Sequence, residues 1–513
     1  MEAASNIVVD EISQVRGENS RLREKVAQLQ VDINDLQALL RFFQKLPFTP
    51  TSERYANQPL LFPDTPEALA SAEARDGSVE ATEVKGHTRK KKRAVIPADI
   101  PREVRFHDVP EDQKVCPNHG VALERSGDQV SHKVEWIPAK IKVFEDVCAV
   151  YCCPICEKNV KIAELPPSPI PGSIATASLL AHIATAKYAD GLPLYRQEGI
   201  LQRHGFNLTR TTMATWMGRL AGLLAPLYNL FADVLFVSPV IYIDETHLQV
   251  LKVAGKKPTS KSYLWVRVGG ISGQRVVLFD FGPGRGGDVA KRLIEGYEGF
   301  VTTDGYDGYN IIEGLKGVRR LQCWMHVRRY FKKALKVLGK AGKGGIADQG
   351  LKKIQDLYAI ERACAEFTDD ERYKFRLERS KPLLDEFHVW LQAAFKDVPP
   401  KGVTGVAINY ALERWPYLTV FLEDGCLLMD NGPAENAIRP VAVGRKGWLF
   451  SDTVEGAETT AMLYSIVETA KANGKDPHAY LTMVIDRLPH AKTLADVEAL
   501  LPWAAAPPLA ASG

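Results

Sequence analysis

No stretch of the sequence approaches the ~18 consecutive apolar residues of a membrane-spanning helix, so no membrane partner is expected. The opening MEAASNIVVDEI lacks the basic n-region and apolar core of a signal peptide, which points to a cytoplasmic protein. Cysteine is sparse: eight in 513 residues is too few for a disulfide framework. Neither sign of charge dominates, with 65 Lys and Arg against 62 Asp and Glu, so net charge alone names no partner. The remaining composition, 45% hydrophobic and 25% charged, is that of ordinary globular protein and argues against a wholly disordered chain or a collagen. At roughly 150 residues per domain the length suggests about three or four domains.

What is present is unevenly spread. From residue 7 to 45 a heptad places Ile12, Asn19, Val26, Ile33 and Leu40 at a, and Val8, Val15, Leu22, Leu29, Leu36 and Phe43 at d. The spacing favours a coiled coil over a helix packed on its own protein, and the lone a-position Asn19 favours a parallel homodimer. Pro47 and Pro50 end it. A linker follows and closes in KGHTRKKKR, where six of nine residues are Lys or Arg, among them Arg89, Lys90, Lys91, Lys92 and Arg93. Such a run is either a solvated stretch or a phosphate-binding one without sequence readout.

Five of the eight cysteines fall between Cys116 and Cys156. Cys116-Pro-Asn-His119 and Cys153-Pro-Ile-Cys156 each hold two ligand types across a tight turn, and two such knuckles can close a tetrahedral Zn2+ site. Cys152 and His132 are substitutes, and buried thiols are the alternative. Four protein ligands would leave no open position, so the role would be folding or docking. Cys323, Cys364 and Cys426 are scattered and read as ordinary buried thiols.

Residues 173–235 read as helices, and LPLYRQEGILQRHGFNLTRTTMATWMGRL suggests a helix, a turn at Gly205 and a second helix capped by Thr209. A helix-turn-helix would present Arg210 to DNA, although helical hairpins are common in plain cores. At Val237 the period changes: VSPVIYIDETHLQVL, SKSYLWVRVGG, QRVVLFDFG and GFVTTDGYDGY are strand-like, with a helix-like DVAKRLIEGY before the last. A mostly helical stretch covers about 324–422, a short helix begins near Gly432, and a longer one covers roughly 457–473.

Three carboxylates carry the chemistry. Asp244 ends the run VIYI, Asp304 ends FVTT, and Glu435 lies in a helix first turn opened by Pro433. Each has a plain structural reading: strand-end caps for the aspartates, an N3 carboxylate favoured by the helix dipole for Glu435. If strands 240–244 and 300–304 are neighbours, however, both aspartates share one end of the sheet. A helix start can then bring Glu435 to them. Converging carboxylates repel and gain protons unless a cation neutralises them, and hard oxygen ligands suit Mg2+ or Mn2+. Two such ions clamp an in-line phosphoryl displacement. Alternation turns Glu245 to the other face, while spacing leaves Asp307 and Asp430 open. Arg328, Lys332, Lys336, Lys340 and Lys343 form a helical stripe beside Arg329 and Lys333, anchored by Val327, Phe331, Leu335 and Leu338, with no acid from 328 to 343. That favours a polyanion over a merely solvated face. Arg439, Arg445 and Lys446, interleaved with Trp448 and Phe450, suit phosphate contact plus stacking, with core packing as the alternative for the two aromatics.

In this order the residues resemble the large DDE subunit of insertion sequence 66 family transposases. The resemblance runs through TSER at 51–54, PADIPRE, CPNHG, CCPIC, KYADGLPLYRQE, YIDETHLQVL, TTDGYDGY, CWMHVRRYF, DNGPAENAIRPVAVGRKGWLF and DPHAYLTMVIDRLP, nearly the whole chain. It implies a multidomain α/β protein with an RNase H-like catalytic core interrupted by a helical insertion. The divisions would be a coiled coil at 1–48, a linker at 49–95, a zinc-binding domain at 96–165, a helical DNA-binding domain at 166–236, core at 237–322, insertion at 323–425, core with the Glu at 426–475, and a closing element at 476–513. The DDE residues would be Asp244, Asp304 and Glu435, holding two Mg2+ or Mn2+ ions; the zinc ligands would fall on Cys116, His119, Cys153 and Cys156, although the family more often has Cys where His119 stands. It further implies double-stranded DNA as partner, small accessory proteins of the same element and a bacterial, nucleoid-associated setting. In the implied mechanism water frees a 3′-OH at the element end and that 3′-OH then attacks target DNA. The competing readings are a non-catalytic DNA-binding protein, a nuclease that cuts without joining, and an interaction protein built on the coiled coil.

Overall fold

The computed structural model describes residues 141–152, 160–162 and 168–504. The heptad segment, the basic run with Arg89, Lys90, Lys91, Lys92 and Arg93, and the knuckle residues Cys116, His119, Cys153 and Cys156 lie outside the described residues. A small antiparallel pair, β1 (Val150–Cys152) and β2 (Val160–Ile162), precedes the main body.

Three helices come first: α1 (Ala177–Tyr188), α2 (Leu194–Arg203) and α3 (Arg210–Phe236). The turn between α2 and α3 uses Gly205 at φ 79°, and the Thr209 hydroxyl accepts from the Thr212 amide at 3.2 Å, so the expected cap forms. The chain then enters an antiparallel meander of β3 (Val240–Lys252), β4 (Lys261–Ile271) and β5 (Gln274–Gly282). The turn from β4 to β5 requires glycine: Gly270 has φ 109°, and a Cβ there would lie 2.0 Å from the Gln274 carbonyl. Helix α4 (Gly287–Leu293) crosses over to β6 (Gly299–Thr303), which runs parallel to β3, and β7 (Val318–Gln322) runs parallel to β6. The sheet order is β5-β4-β3-β6-β7.

Helices α5 (Trp324–Leu338), α6 (Ile346–Ala363), α7 (Asp369–Lys396), α8 (Val403–Glu413) and the single turn α9 (Trp415–Leu418) follow β7. Thr368 and Glu371 open α7 with a reciprocal capping box. Arg376 ties this layer together from a fully buried position. It pairs with Glu361 at 2.6 Å and donates to the carbonyls of Phe421, Asp424 and Leu427. The chain returns to the sheet through α10 (Gly432–Trp448) and β8 (Phe450–Thr453), which pairs in parallel with the far end of β3. Helix α10 is not short: it spans 17 residues and carries Pro440 within it. Its Gly444 lies against the Tyr464 hydroxyl, where a Cβ would sit at 2.9 Å, so packing sustains a segment that propensity alone would break. Helices α11 (Val454–Ala472), α12 (Pro477–Arg487) and α13 (Leu494–Glu498) close the fold.

Helix α3 is long and apolar enough to cross a membrane by length and composition alone. Its buried side chains Met213, Trp216, Met217, Leu220, Leu224, Leu227, Phe231 and Leu235 nevertheless recur every three or four residues, and the helix packs on β4, β5 and α11. That stripe is the pattern of a core helix.

Strand β5 is an outer strand of the sheet, and α11 covers its free edge. The Phe279 amide donates to Ser465 Oγ at 2.7 Å, the Val277 amide to Thr469 Oγ1 at 3.0 Å, and the Arg275 amide to Asn473 Oδ1 at 3.1 Å. The fit is geometric. Four helical residues rise about 6 Å and two strand residues about 6.8 Å, so every fourth helix position meets every second strand amide.

Candidate active site

Strand register does the first part of the positioning. β3 and β6 pair as Val240↔Phe300, Ile241↔Val301 and Tyr242↔Thr302, so Asp244 and Asp304 each stand two residues beyond the last pair, at the same end of the sheet. Asp244 does not end its strand, because β3 continues to Lys252. Asp304 does end β6, and its Oδ1 accepts from the Tyr306 amide at 2.9 Å, so it also makes the turn expected of a strand-end carboxylate.

The start of α10 brings in the third carboxylate. Asn431 Nδ2 donates to the Ile243 carbonyl at 2.8 Å, its backbone amide donates to Cys323 Sγ at 3.2 Å, and the Trp324 amide donates to the Met429 carbonyl at 3.0 Å. These bonds pin the helix start between β3 and the junction of β7 with α5. Glu435 is the fourth helical residue, not the N3 residue, and its carboxylate makes no cap. It lies instead 3.6 Å from His326 Nδ1, 4.0 Å from Cys323 Sγ and 3.9 Å from Arg329 Nη2. Its Oε2 is buried without a hydrogen-bond donor.

The carboxylates feel one another. The Asp244 carboxyl is held well above its ordinary value by burial, then by the charges of Glu245, Asp304 and Glu435. Glu435 is pushed up to about 8 by burial, with Asp430 and Asp304 adding and Arg329 opposing. His326 is held down at about 4 by burial and then by Arg329, so its imidazole is neutral.

Glu245, which alternation sets apart from Asp244, is nonetheless tied to the site through a shared partner. Its carboxylate is fully buried and bound by Arg285 Nε and the Tyr309 hydroxyl. The same guanidinium reaches Asp304 Oδ2 at 3.5 Å and stacks 3.8 Å over the Tyr306 ring. Arg285 therefore links Glu245 to the aspartate pair. Asp430 is half-buried just ahead of α10, accepting from the Tyr358 hydroxyl at 3.4 Å and the Gly432 amide at 3.1 Å, and Asp307 is exposed opposite Arg414. Cys323 is a buried thiol as expected, and its Sγ also lies within 4.8 Å of ligand atoms of His326 and Glu435. The signal was in the sequence: Cys323 and His326 repeat the C-x-x-H spacing of Cys116 and His119.

The basic residues singled out in the sequence lie on α5, α10 and α3. Arg329 reaches the site from the first turns of α5, Arg328 lies 5.8 Å from the Tyr358 ring, and Lys332 and Lys336 are exposed further along. The stripe is shorter than expected. Helix α5 stops at Leu338 and Gly339 turns the chain with φ 57°, so Lys340 and Lys343 fall beyond it. Val327 and Phe331 are buried anchors, whereas Leu338 is exposed. On α10, Arg439 is half-buried, Lys446 is exposed and Arg445 is bound to the His247 carbonyl. Trp448 packs on the core while Phe450 is exposed. Arg210 is exposed at the start of α3.

Residues 172–459 match the family model described as "Transposase IS66 family", and residues 465–503 match "IS66 C-terminal element". The chain belongs to the IS66 transposase family. Membership brings a transposase role and binding to DNA. Two relatives from Sinorhizobium fredii (strain NBRC 101917 / NGR234) are similar over most of their length. "Uncharacterized protein y4jD" is 30% identical over 79% of this chain and 81% of its own, and "Uncharacterized protein y4qI" is 30% identical over 78% and 75%. The IS66 match contains Asp244, Asp304 and Glu435 as well as Glu245, Arg285, Cys323 and His326.

Proposed function

We propose that this IS66 transposase is the DDE-type catalytic subunit: it cleaves phosphodiester bonds at the ends of its element and joins the freed 3′-OH to target DNA. The observation that supports the reading is the level placement of Asp244 and Asp304 by the β3–β6 register, with the charge of Glu435 at the start of α10 felt at Asp244. The strand order, three antiparallel strands followed by two parallel ones, supports an RNase H-like core.

The residues fit a hard divalent cation. The charges of Asp304 and Glu435 raise the affinity of Asp244 for positive charge, and Glu435 Oε2 is buried without a donor. Asp244, Asp304 and Glu435 would hold two Mg2+ or Mn2+ ions, which supply activation of the attacking oxygen and stabilisation of the leaving one. The protein's own residues do the rest. Arg285 holds Glu245 and Asp304 in place, and the Tyr306 amide orients Asp304. Arg329, Lys332, Lys336, Arg439 and Lys446 would neutralise DNA phosphates on either side, and exposed Phe450 offers a face for base stacking.

Outside the described residues, the reading assigns the coiled coil to homodimerisation, the knuckle with Cys116, His119, Cys153 and Cys156 to structural Zn2+, and the run ending at Arg93 to DNA. Arg210 would contact DNA from the helix-turn-helix, and accessory proteins of the element would assist.

The test incubates full-length protein with DNA spanning the element ends, a target plasmid and Mg2+ or Mn2+, beside Asp304→Ala. End-specific nicks and joined products that need metal and vanish in the variant, while end binding survives, are expected. Nicks without joined products would make it a nuclease. Binding without metal-dependent cleavage, even with the neighbouring small proteins added, would make it a non-catalytic DNA-binding protein.

A further inference from the structure

Glu435 belongs to two groups of side chains. One is the carboxylate set. The other is Cys323 and His326, contributed by the start of α5, where the C-x-x-H spacing across the helix N-terminus folds thiol and imidazole toward the same point. Ligand atoms of Cys323, His326 and Glu435 all lie within 4.8 Å of one another, with His326 Nδ1 at 3.6 Å and Cys323 Sγ at 4.0 Å from Glu435 Oε1. Donors around a tetrahedral zinc ion, at about 2.0–2.3 Å from the metal, stand about 3.3–3.8 Å apart. The group is therefore close to ligating geometry already.

A second observation points to a ligand. Cys323 and Glu435 are 2% and 7% exposed, yet Glu435 Oε2 and His326 Nδ1 have no hydrogen-bond partner. Buried polar atoms are ordinarily satisfied, and the orphaned His326 Nδ1, aimed at Glu435 Oε1 from 3.6 Å, marks a place that something else completes. The donor chemistry says what. A thiol, an imidazole and a single carboxylate suit a borderline metal such as Zn2+ or Co2+ and do not suit Mg2+. Arg329 faces Oε2, whereas the thiol and the imidazole face Oε1, so the guanidinium does not stand between the three donors. The Asn431 amide already donates to Sγ and would support the thiolate.

We propose that Cys323, His326 and Glu435 form a Zn2+ site whose occupation takes Glu435 out of the carboxylate set and shuts off DNA cleavage. The metal enters as the protons held by the Cys323 thiol and the Glu435 carboxyl leave to solvent, with one coordination position left open for water. The metal site stands on the geometry alone; the shut-off rests on the catalytic reading above.

The experiment titrates full-length protein with Co2+, comparing wild type with Cys323→Ser and His326→Gln. Wild type is expected to bind one more Co2+ per chain than Cys323→Ser, with extra near-ultraviolet thiolate-to-cobalt absorption. Metal held by other cysteines is common to both proteins and cancels. Serine keeps an acceptor for the Asn431 amide, and His326→Gln, which leaves the thiol in place, is expected to weaken the same equivalent at least tenfold. Equal binding and equal absorption in all three proteins would overturn the site. Zn2+ is then added to Mg2+-supported cleavage: Cys323→Ser should require at least tenfold more Zn2+ for inhibition than wild type. Equal inhibition would overturn the shut-off. If no protein cleaves DNA with Mg2+ while the Co2+ difference persists, the cleavage reading fails and the metal site is upheld.

Discussion

Replacing Glu435 by Gln is expected to stabilise the metal-free fold, by an amount that grows with pH. In the folded protein burial lifts this carboxyl from 4.5 to about 8, with Asp430 and Asp304 adding to the rise. In the unfolded chain it ionises near its ordinary value. Between those limits the folded state holds a proton that the unfolded state has released. Stability therefore falls as pH rises from about 4.5 and levels off above about 8. At 1.36 kcal/mol per pH unit, the penalty is about 1 kcal/mol at pH 5 and about 3 kcal/mol at pH 7. Glutamine keeps the shape and ionises in neither state, so it escapes the penalty. The assay is urea unfolding of both proteins at the two pH values without added metal. Glu435→Gln should gain about 2 kcal/mol more at pH 7 than at pH 5. A gain that is the same at both pH values would refute the assignment of a raised proton affinity to this buried carboxyl. Excess Mg2+ should narrow the gap at pH 7, because a cation relieves in the wild type what glutamine relieves in the variant.

Ser465→Ala combined with Thr469→Val strips the β5 edge of two acceptors; leaving the Val277 and Phe279 amides unbonded should cost about 1–3 kcal/mol each. Urea unfolding measures the loss, and hydrogen exchange should accelerate at those two amides first. Arg376→Leu leaves Glu361 without its buried partner and should destabilise by about 3–5 kcal/mol, with Glu361→Leu in the same chain recovering much of it. A double-mutant cycle in urea decides, and additive losses would count against the pair. Lys336→Ala should weaken DNA binding uniformly across sequences and lower the salt slope of binding by about 1. An unchanged slope in a binding titration across salt concentrations would remove Lys336 from the DNA-facing surface.

Much of this was legible in the sequence because it is local or periodic. The apolar runs ending at Asp244 and Asp304 gave the strands, and their neighbouring placement put both aspartates at one end of the sheet. Thr209 and Gly205 announced the turn between α2 and α3. What was hidden depends on tertiary packing. Glu245 looked turned away because alternation says which face a side chain takes, but not that Arg285 would reach it from the loop after β5. The length of α10 was underread because Pro440 and Gly444 are helix breakers by propensity, and the close approach of Tyr464 and Trp448 accounts for the glycine. Lys340 and Lys343 joined the basic stripe on paper because periodicity does not register the left-handed turn at Gly339. Cys323 and His326 share a local C-x-x-H spacing, but their grouping with Glu435 stayed hidden because it lies 112 residues beyond Cys323, a separation carried by no local pattern.

The cover of the β5 edge sets an order of events during synthesis. Its partners Ser465, Thr469 and Asn473 lie 186 to 198 residues downstream of the amides they accept from. At about 5–20 residues per second, roughly 10–40 s separate the emergence of the strand from that of its cover. Through that interval the nascent chain carries an open strand edge, the feature through which chains pair with one another. A copy truncated before Ser465 never leaves that state. Such a fragment is expected to aggregate or be degraded, not to persist as a folded, DNA-bound competitor of the intact protein. Truncation ahead of Ser465 is then expected to remove the protein altogether, leaving no folded fragment to compete with full-length copies.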